Sequence, residues 1–424
     1  MEGRSMYGIV GAIIPILLSV ALMILGSGAL NTLIGIRLDG GGYTPFIIGI
    51  ITAAYYTGLT LGSLGCSRLI TRVGHIRTFA AFASVFSTAT LGHGLTGDIY
   101  IWGALRFVEG FCLAGIYMCV ESWLNDKATN ETRGKILSQY MIVLYASMAA
   151  AQQLINLDEP PRPHLFIVIG MLLSMSLVPI ALTRSSAPSL PEVSSIGVRR
   201  LYEASPLGFA GVFLSGAMLG SVYGLGPIFA TQSGAGVSGA AMFMTVLIAG
   251  GVLLQWPFGW LSDIFDRRQV IIANSIAFFV MSLLLVAIPD KQGWLFSICA
   301  MLAGGLLFSF YPMAMAHTND HIRKEEMVSA SGGLILINSV ASILGPLIAA
   351  AFMSWFGPGG LFIATGLAST GLAAFGLWRT RVRQSPAPED QMNFHPVPPT
   401  TPVVVPLHPA HDDQEGNAEQ TSAG

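Results

Sequence analysis

The sequence predicts an all-α integral membrane protein of twelve transmembrane helices arranged as two six-helix pseudo-repeats. Three observations predict it. Of the 424 residues, 53% are hydrophobic and only 10% are charged, with a mean hydropathy of +0.64. A soluble domain carries about 25% charged residues to hold its surface in water, so lipid must be the main solvent. Apolar runs long enough to cross a bilayer, which takes roughly 20 helical residues, alternate with short polar breaks along the chain. The basic residues also fall almost wholly on one side of those runs. The net charge of −2 carries no basic footprint, so no nucleic-acid partner is expected.

The spans fall near 8–36, 45–69, 76–97, 100–124, 135–157 and 164–183, then near 206–230, 240–262, 268–289, 293–317, 327–354 and 358–378. Each must be helical, because a backbone polar group left unpaired in lipid costs several kcal/mol. The first span follows a short head bearing Arg4 and exceeds a signal-peptide core of roughly 7–15 residues, so it is expected to be retained. Turn chemistry marks the breaks: Asp39-Gly40-Gly41-Gly42, Pro160-Pro161-Arg162-Pro163, Pro289-Asp290 and Gly357-Pro358-Gly359. The organisation expected is an N-terminal half over 1–183, a central cytoplasmic loop over 184–205 and a C-terminal half over 206–378. A disordered cytoplasmic tail follows over 379–424, polar and acidic at its end and containing Pro396-Val397-Pro398-Pro399.

Orientation follows from Lys and Arg. Seventeen of the 21 basic residues lie on the N-terminal side: Arg4, Arg68, Arg72, Arg77, Lys127, Arg133, Lys135, Arg184, Arg199, Arg200, Arg267, Arg268, Arg323, Lys324, Arg379, Arg381 and Arg383. Only Arg37, Arg162 and Lys291 lie opposite, and Arg106 is inside a span. Both termini are therefore expected in the cytoplasm, with the bundle in the cell inner membrane.

Two breaks echo each other. After span 8 stands Gly259-Trp-Leu-Ser-Asp263-Ile-Phe-Asp266-Arg267-Arg268, and after span 2 stands Ser67-Arg-Leu-Ile-Thr71-Arg72-Val-Gly74-His75-Ile-Arg77. Both resemble the major facilitator loop signature G-x-x-x-D-[RK]-x-G-[RK]-[RK]. The second keeps Gly259, Asp263, Arg267 and Arg268; the first keeps Arg72 and Gly74 but has Ser67, Thr71 and His75 elsewhere. Arg106-Phe-Val-Glu109-Gly110, Glu121-Ser-Trp-Leu-Asn125, Glu131-Thr-Arg133-Gly134 and Gln255-Trp-Pro-Phe-Gly-Trp-Leu-Ser-Asp263 resemble the YcaD-like bacterial branch of that superfamily. The resemblance covers residues 8–378. It implies a rocker-switch carrier with a central cavity between two halves, and a functional span-4 arginine suspected of a role in proton transfer. It implies no substrate.

Such loops can act as a cytoplasmic latch, in which a carboxylate caps a helix end and basic residues pair with an acid on span 4. Glu121 is the expected acid, with Arg72, His75 or Arg77 as partner; equally, these charges can simply enforce topology. On span 4, Arg106, Glu109, Gly110, Ala114, Tyr117 and Glu121 share one helical face. An intramembrane charge is costly and normally faces a bundle interior or a cavity. Three roles stay open for Arg106 and Glu109: a static ion pair, a receiver for an anionic solute group, or a proton-coupling carboxylate beside its arginine. Tyr145 and Gln152 on span 5 and Asn338 on span 11 belong to polar stripes that either flank the cavity or fasten helices. Asn31, Tyr55, Tyr56, Tyr117, Tyr223 and Gln255 complete the cavity candidates.

Cys66, Cys112, Cys119 and Cys299 have no metal-type spacing, so no metal is expected. No phosphate-binding G-x-x-x-x-G-K-[ST] occurs and no cofactor is expected. No intramembrane acid–histidine cluster or activated serine suggests an enzyme. The expected function is secondary active transport of a small organic solute by alternating access, coupled to protons, by a monomer. A uniporter, or a non-transporting sensor or assembly factor on the same fold, is the competing reading.

Overall fold

A computed structural model describes residues 2–129, 131–157, 162–183, 188, 197–323, 326–382 and 398–407. Pro160, Pro161, Arg184, Lys324, Arg383, Pro396 and Val397, together with most of the central loop and of the tail, lie outside the described residues. The first half contains α1 (Glu2–Gly40), α2 (Pro45–Val73), α3 (His75–His93), α4 (Ile99–Lys127), α5 (Arg133–Gln153), α6 (His164–Met175) and α7 (Leu177–Ala181). A short α8 (Val198–Ala204) precedes α9 (Pro206–Ala230), α10 (Gly236–Ile264), α11 (Arg267–Ala287), α12 (Trp294–Asn319), α13 (Met327–Phe356) and α14 (Gly360–Thr380). No strand occurs among the described residues.

Local chemistry sets the ends. Asp98 caps α4, accepting from the backbone N–H groups of Tyr100 at 2.8 Å and Ile101 at 3.1 Å. Asp266 caps α11 through the Arg268 N–H at 2.9 Å, and Pro45 and Pro206 open α2 and α9 where no backbone donor is needed. Gly74, at φ 91°, makes the turn between α2 and α3 in a region that a side chain disfavours.

Ten helical stretches are long and apolar enough to cross a bilayer. One of these is 59 residues long and comprises α9 and α10, divided by a π-helical turn at Thr231–Ala235 that leaves helical geometry at Gly234. Dividing it there, and adding the more polar α3, brings the bundle helices to twelve, with α6 and α7 forming one broken crossing.

The pseudo-repeat is visible in how the helices touch. In each half the second and fourth bundle helices pack in close contact, α2 on α4 and α10 on α12. A Cβ on Gly58 would lie 2.0 Å from the Phe107 carbonyl oxygen, and one on Gly110 would lie 2.0 Å from that of Tyr55. In the second half, a Cβ on Gly250 would lie 1.9 Å from the Met301 carbonyl oxygen and one on Gly304 1.9 Å from that of Leu247. Paired glycines let two backbones meet where lipid supplies no hydrophobic drive. Gly110→Ala is expected to destabilise the bundle by about 1–3 kcal/mol through overpacking, whereas Gly97→Ala, which faces open space, is neutral. The fraction of each protein that stays monodisperse in detergent after heating measures the difference.

The halves meet where α2 packs on α13, α5 on α10 and α1 on α9. Two parts differ from expectation. The stretch read as a polar loop contains α8, whose Arg200 pairs with Glu326 at 2.8 Å. The tail expected to be disordered over 379–424 carries α14 on to Thr380, and residues 398–407 are folded against α4, α5 and α13 with a 3₁₀ turn at Pro402–Leu407. Val403, Val404, Val405 and Leu407 are buried there. A short apolar cluster held in a proline-restricted backbone loses little entropy on docking, and the polar average of the whole tail conceals it.

Candidate functional site

Between the halves lies a cavity with about 800 Å³ of empty space, including the part open to solvent. Seven of the nine predicted cavity residues line it: Asn31, Tyr55, Tyr56, Tyr117, Tyr145, Tyr223 and Gln255. Phe308, Tyr311 and Pro312 of α12 join them, so six of the chain's eleven tyrosines face one space. Phe308 stands edge-on to Tyr145 at 5.6 Å and to Tyr223 at 5.9 Å, tying α5, α9 and α12 into one aromatic wall. The Tyr311 hydroxyl is buried and has no hydrogen-bond partner among the described residues. A buried unpaired hydroxyl is costly, and a solute's polar group would satisfy it.

Gln152 and Asn338 are placed elsewhere. Gln152 accepts from the Thr32 hydroxyl at 2.6 Å and donates to the Met148 carbonyl at 3.2 Å, fastening α5 to α1. Asn338 donates to the Val212 carbonyl at 3.1 Å and to the Ser215 hydroxyl at 3.0 Å, fastening α13 to α9. Of the two readings of these amides, the fastening one describes their geometry.

At the end of the cavity away from the basic breaks, Arg106 and Glu109 stand about 10 and 15 Å along α4 from its start. Both are buried, and Arg106 Nη1 donates to Glu109 Oε2 at 2.8 Å. Arg106 Nη2 donates to Asn31 Oδ1, and its guanidinium lies 4.2 Å from the centre of the Tyr55 ring. Asn31 and Tyr55 thus stand between the ion pair and the cavity. On the far side, His93 Nε2 is 3.2 Å from Glu109 Oε1, and the Thr90 hydroxyl donates to the same oxygen at 3.4 Å. Trp102 and Phe166 enclose the imidazole. The result is a row of polar groups from the cavity through Asn31, Arg106 and Glu109 to His93. His93 escapes a reading of single helices because it meets Glu109 across the α3–α4 packing, with no periodicity joining them.

In the loop after α10 the motif residues make ion pairs, with one unforeseen partner in Asp320. Arg267 pairs with Asp263 at 2.9 Å and with Asp320 at 2.6 Å, and the side chains of both Arg267 and Asp320 are only 1% exposed. Arg268 pairs with Asp266, and Gly259 lies buried in α10 one turn before Asp263. The degraded first copy does not close in this way. Arg72 and Arg77 are exposed, Gly74 makes the turn, and His75 packs beside Trp123 at 5.8 Å. Glu121 meets none of them. Its Oε1 accepts from Tyr140 at 3.1 Å and from Thr400, and its Oε2 accepts from Thr401.

At the end opposite the basic breaks the halves are fastened directly. Asp39 Oδ1 accepts from Gln232 Nε2 at 2.6 Å and Oδ2 from the Thr231 hydroxyl at 3.2 Å, while Gln153 donates to Thr245 at 2.7 Å. Asp39→Ala is expected to loosen this closure by about 1.5–3 kcal/mol, the value of hydrogen bonds to a charged acceptor. Cysteine accessibility at that end checks it: a Tyr223→Cys reporter in the cavity should react several-fold faster when Asp39 is absent.

A family model described as the Major Facilitator Superfamily matches residues 208–408. A Salmonella typhi protein described as an uncharacterized MFS-type transporter, YcaD, is 30% identical over 376 residues, covering 88% of this chain and 96% of its own. Its Salmonella typhimurium counterpart is 30% identical over 351 residues, covering 82% and 90%. Among solved structures, the nucleoside transporter NupG aligns with a TM-score of 0.73 at 12% identity, over 87% of this chain and 99% of that one. An inward-facing, occupied bacterial homolog of the human lysosomal transporter Spinster aligns with a TM-score of 0.69 at 15% identity, over 90% and 97%.

Proposed function

The chain belongs to the major facilitator superfamily, and from that premise we propose that it is a proton-coupled secondary transporter of a small, uncharged organic solute. It works as a monomer in the inner membrane, with both termini in the cytoplasm and Glu109 as its proton carrier. The observation that carries the reading is the buried Arg106–Glu109 pair one residue layer from an aromatic cavity. Glu109 has an opposite charge on one side and a second titratable group, His93, on the other. A carboxylate so placed can exchange its proton in one access state and be shielded in the other. Solute binding reaches it through Asn31 and Tyr55, which touch both the cavity and Arg106.

The cavity favours an uncharged solute because, among the described residues that line it, none is charged. Tyrosine and phenylalanine faces accept a flat ring, while Asn31, Gln255 and the Tyr311 hydroxyl offer hydrogen bonds. Nucleosides, as for NupG, are one class of this shape. The fastened end near Asp39 and the basic breaks at the other suit a resting state closed outward.

The test is the internal pH of proteoliposomes on addition of nucleosides, phenols and neutral aromatic amines. A solute-dependent pH change that collapses with a protonophore supports the proposal. Passage of a labelled solute without any pH change would mean facilitative uniport, and failure of every solute to cross would favour a non-transporting role.

A further inference from the structure

The cavity has one wall that the twelve-helix bundle does not supply. At the basic end Pro398, Pro399 and Thr400 complete its lining. Beyond them, every residue from Thr401 to Leu407 except Pro406 is buried. The segment is held by specific bonds: the Thr400 and Thr401 hydroxyls take separate oxygens of Glu121, and Asn125 Nδ2 donates to the Val403 carbonyl at 2.8 Å. It touches α4 and α5 of the first half and α13 of the second. We propose that residues 398–407 are a tethered plug that closes the basic end of the cavity, with Glu121 as its receptor. Solute passes on that side only when the segment leaves.

Glu121 is what makes this a docking site. Its carboxylate is fully buried, and among the described residues no cation pairs with it. Hydroxyl donors satisfy it instead, and the tail brings two of the three. A buried carboxylate is otherwise expensive, so the site is complete only with the tail in place; when the tail leaves, water takes over through the vacated space. The attachment also suits reversible docking. Fifteen residues, 383–397, join Val382 to Pro398 and can span up to about 50 Å when extended. Covalent attachment makes docking an intramolecular event, so weak binding suffices. Four prolines in ten residues, Pro398, Pro399, Pro402 and Pro406, fix φ beforehand and lower the ordering cost. Because the plug spans both halves, docking also resists the rocking between them.

The proposal rests on the transport reading only in taking the cavity as the solute's route. Its test needs no solute, so the two can fail separately. A cysteine is placed at Leu219, on the cavity wall, and a charged maleimide is added from the basic side of membrane vesicles. The native cysteines, all buried, are measured in the parent chain as background. Val404→Asp and Thr401→Glu, which put a charge into the buried segment or against Glu121, are expected to speed labelling at least ten-fold. The milder Thr401→Val should speed it two- to five-fold, and Val382→Asp, an exposed position before the tether, should leave it unchanged. A synthetic peptide of residues 398–407 at millimolar concentration should slow labelling of the Val404→Asp chain again. Unchanged rates in the tail variants, an equal rise with Val382→Asp, or no protection by the peptide would overturn the proposal.

Discussion

In the Glu109→Gln protein, solute-dependent proton flux is expected to fall by about 100-fold or more, the scale of losing a positioned proton carrier, while the bundle stays folded and exchanges solute. Glutamine has the shape of the carboxylate it replaces. Its carbonyl can still accept from Arg106 Nη1, now at 2.8 Å from a carboxylate oxygen, and the Asn31 and Tyr55 contacts are untouched. What it cannot do is take up or release a proton. The change does leave the buried guanidinium without its counter-ion, which removes one partner of a buried pair. The double variant Arg106→Gln with Glu109→Gln controls for that cost, because it carries neither charge. Both proteins should still exchange labelled solute across equal pH, since exchange needs no net proton movement. Undiminished proton flux in Glu109→Gln would make the pair a fastener between α4 and α1 rather than a carrier. Loss of exchange in both would mean that the ion pair holds the cavity's shape.

The parts of this arrangement differ in how legible they are from sequence. Arg106 and Glu109 are three residues apart on one apolar helix, so helical geometry alone brings them together, and hydropathy alone declares them costly. The aromatic cavity is legible for a related reason: Tyr55, Tyr56, Tyr117, Tyr145 and Tyr223 are polar-tipped side chains inside spans, and a tip in lipid needs somewhere to go. His93, Asp320 and the Asp39–Gln232 bond leave no such trace. Each meets its partner across helix packing, at separations of 16, 53 and 193 residues, and no periodicity links the two ends. Glu121 shows the opposite failure. The loop motif points to Arg72, His75 or Arg77 as its partner, whereas its donors are Tyr140 on α5 and Thr400 and Thr401 near the chain's far end. In this copy of the motif Thr71 stands where the signature has an acid, and its basic residues turn outward. Averaged composition hid Val403–Leu407 within a polar tail, although five apolar or proline residues in succession are a docking signal when read alone.

The ion pairs of Arg267 in the second half yield the other large effect. Asp320→Ala is expected to destabilise the protein by about 3 kcal/mol, the lower end of the range for breaking a fully buried ion pair. Arg267 opens α11 and Asp320 closes α12, and their contact at 2.6 Å is shielded from water on both sides. Asp263 remains to share the guanidinium and holds the loss below the top of that range. Asp263→Ala, by contrast, removes a carboxylate whose side chain is 28% exposed, where water already screens the charge, and should cost no more than about 1 kcal/mol. Replacing both partners of the buried pair, Arg267→Met with Asp320→Leu, should recover most of the loss, because no buried charge is left uncompensated and Asp263, which Arg267 also served, is 28% exposed and screened by water. Thermal unfolding in detergent of the parent, Arg267→Met, Asp320→Leu and their double variant forms a double-mutant cycle that separates the pair's coupling from the packing of each side chain, with Asp320→Ala and Asp263→Ala measured beside it. Equal losses for Asp320→Ala and Asp263→Ala would show that burial does not govern these ion pairs. A double variant as unstable as Asp320→Ala would show that the fold needs the ions themselves, through the ends of α11 and α12 that they hold together.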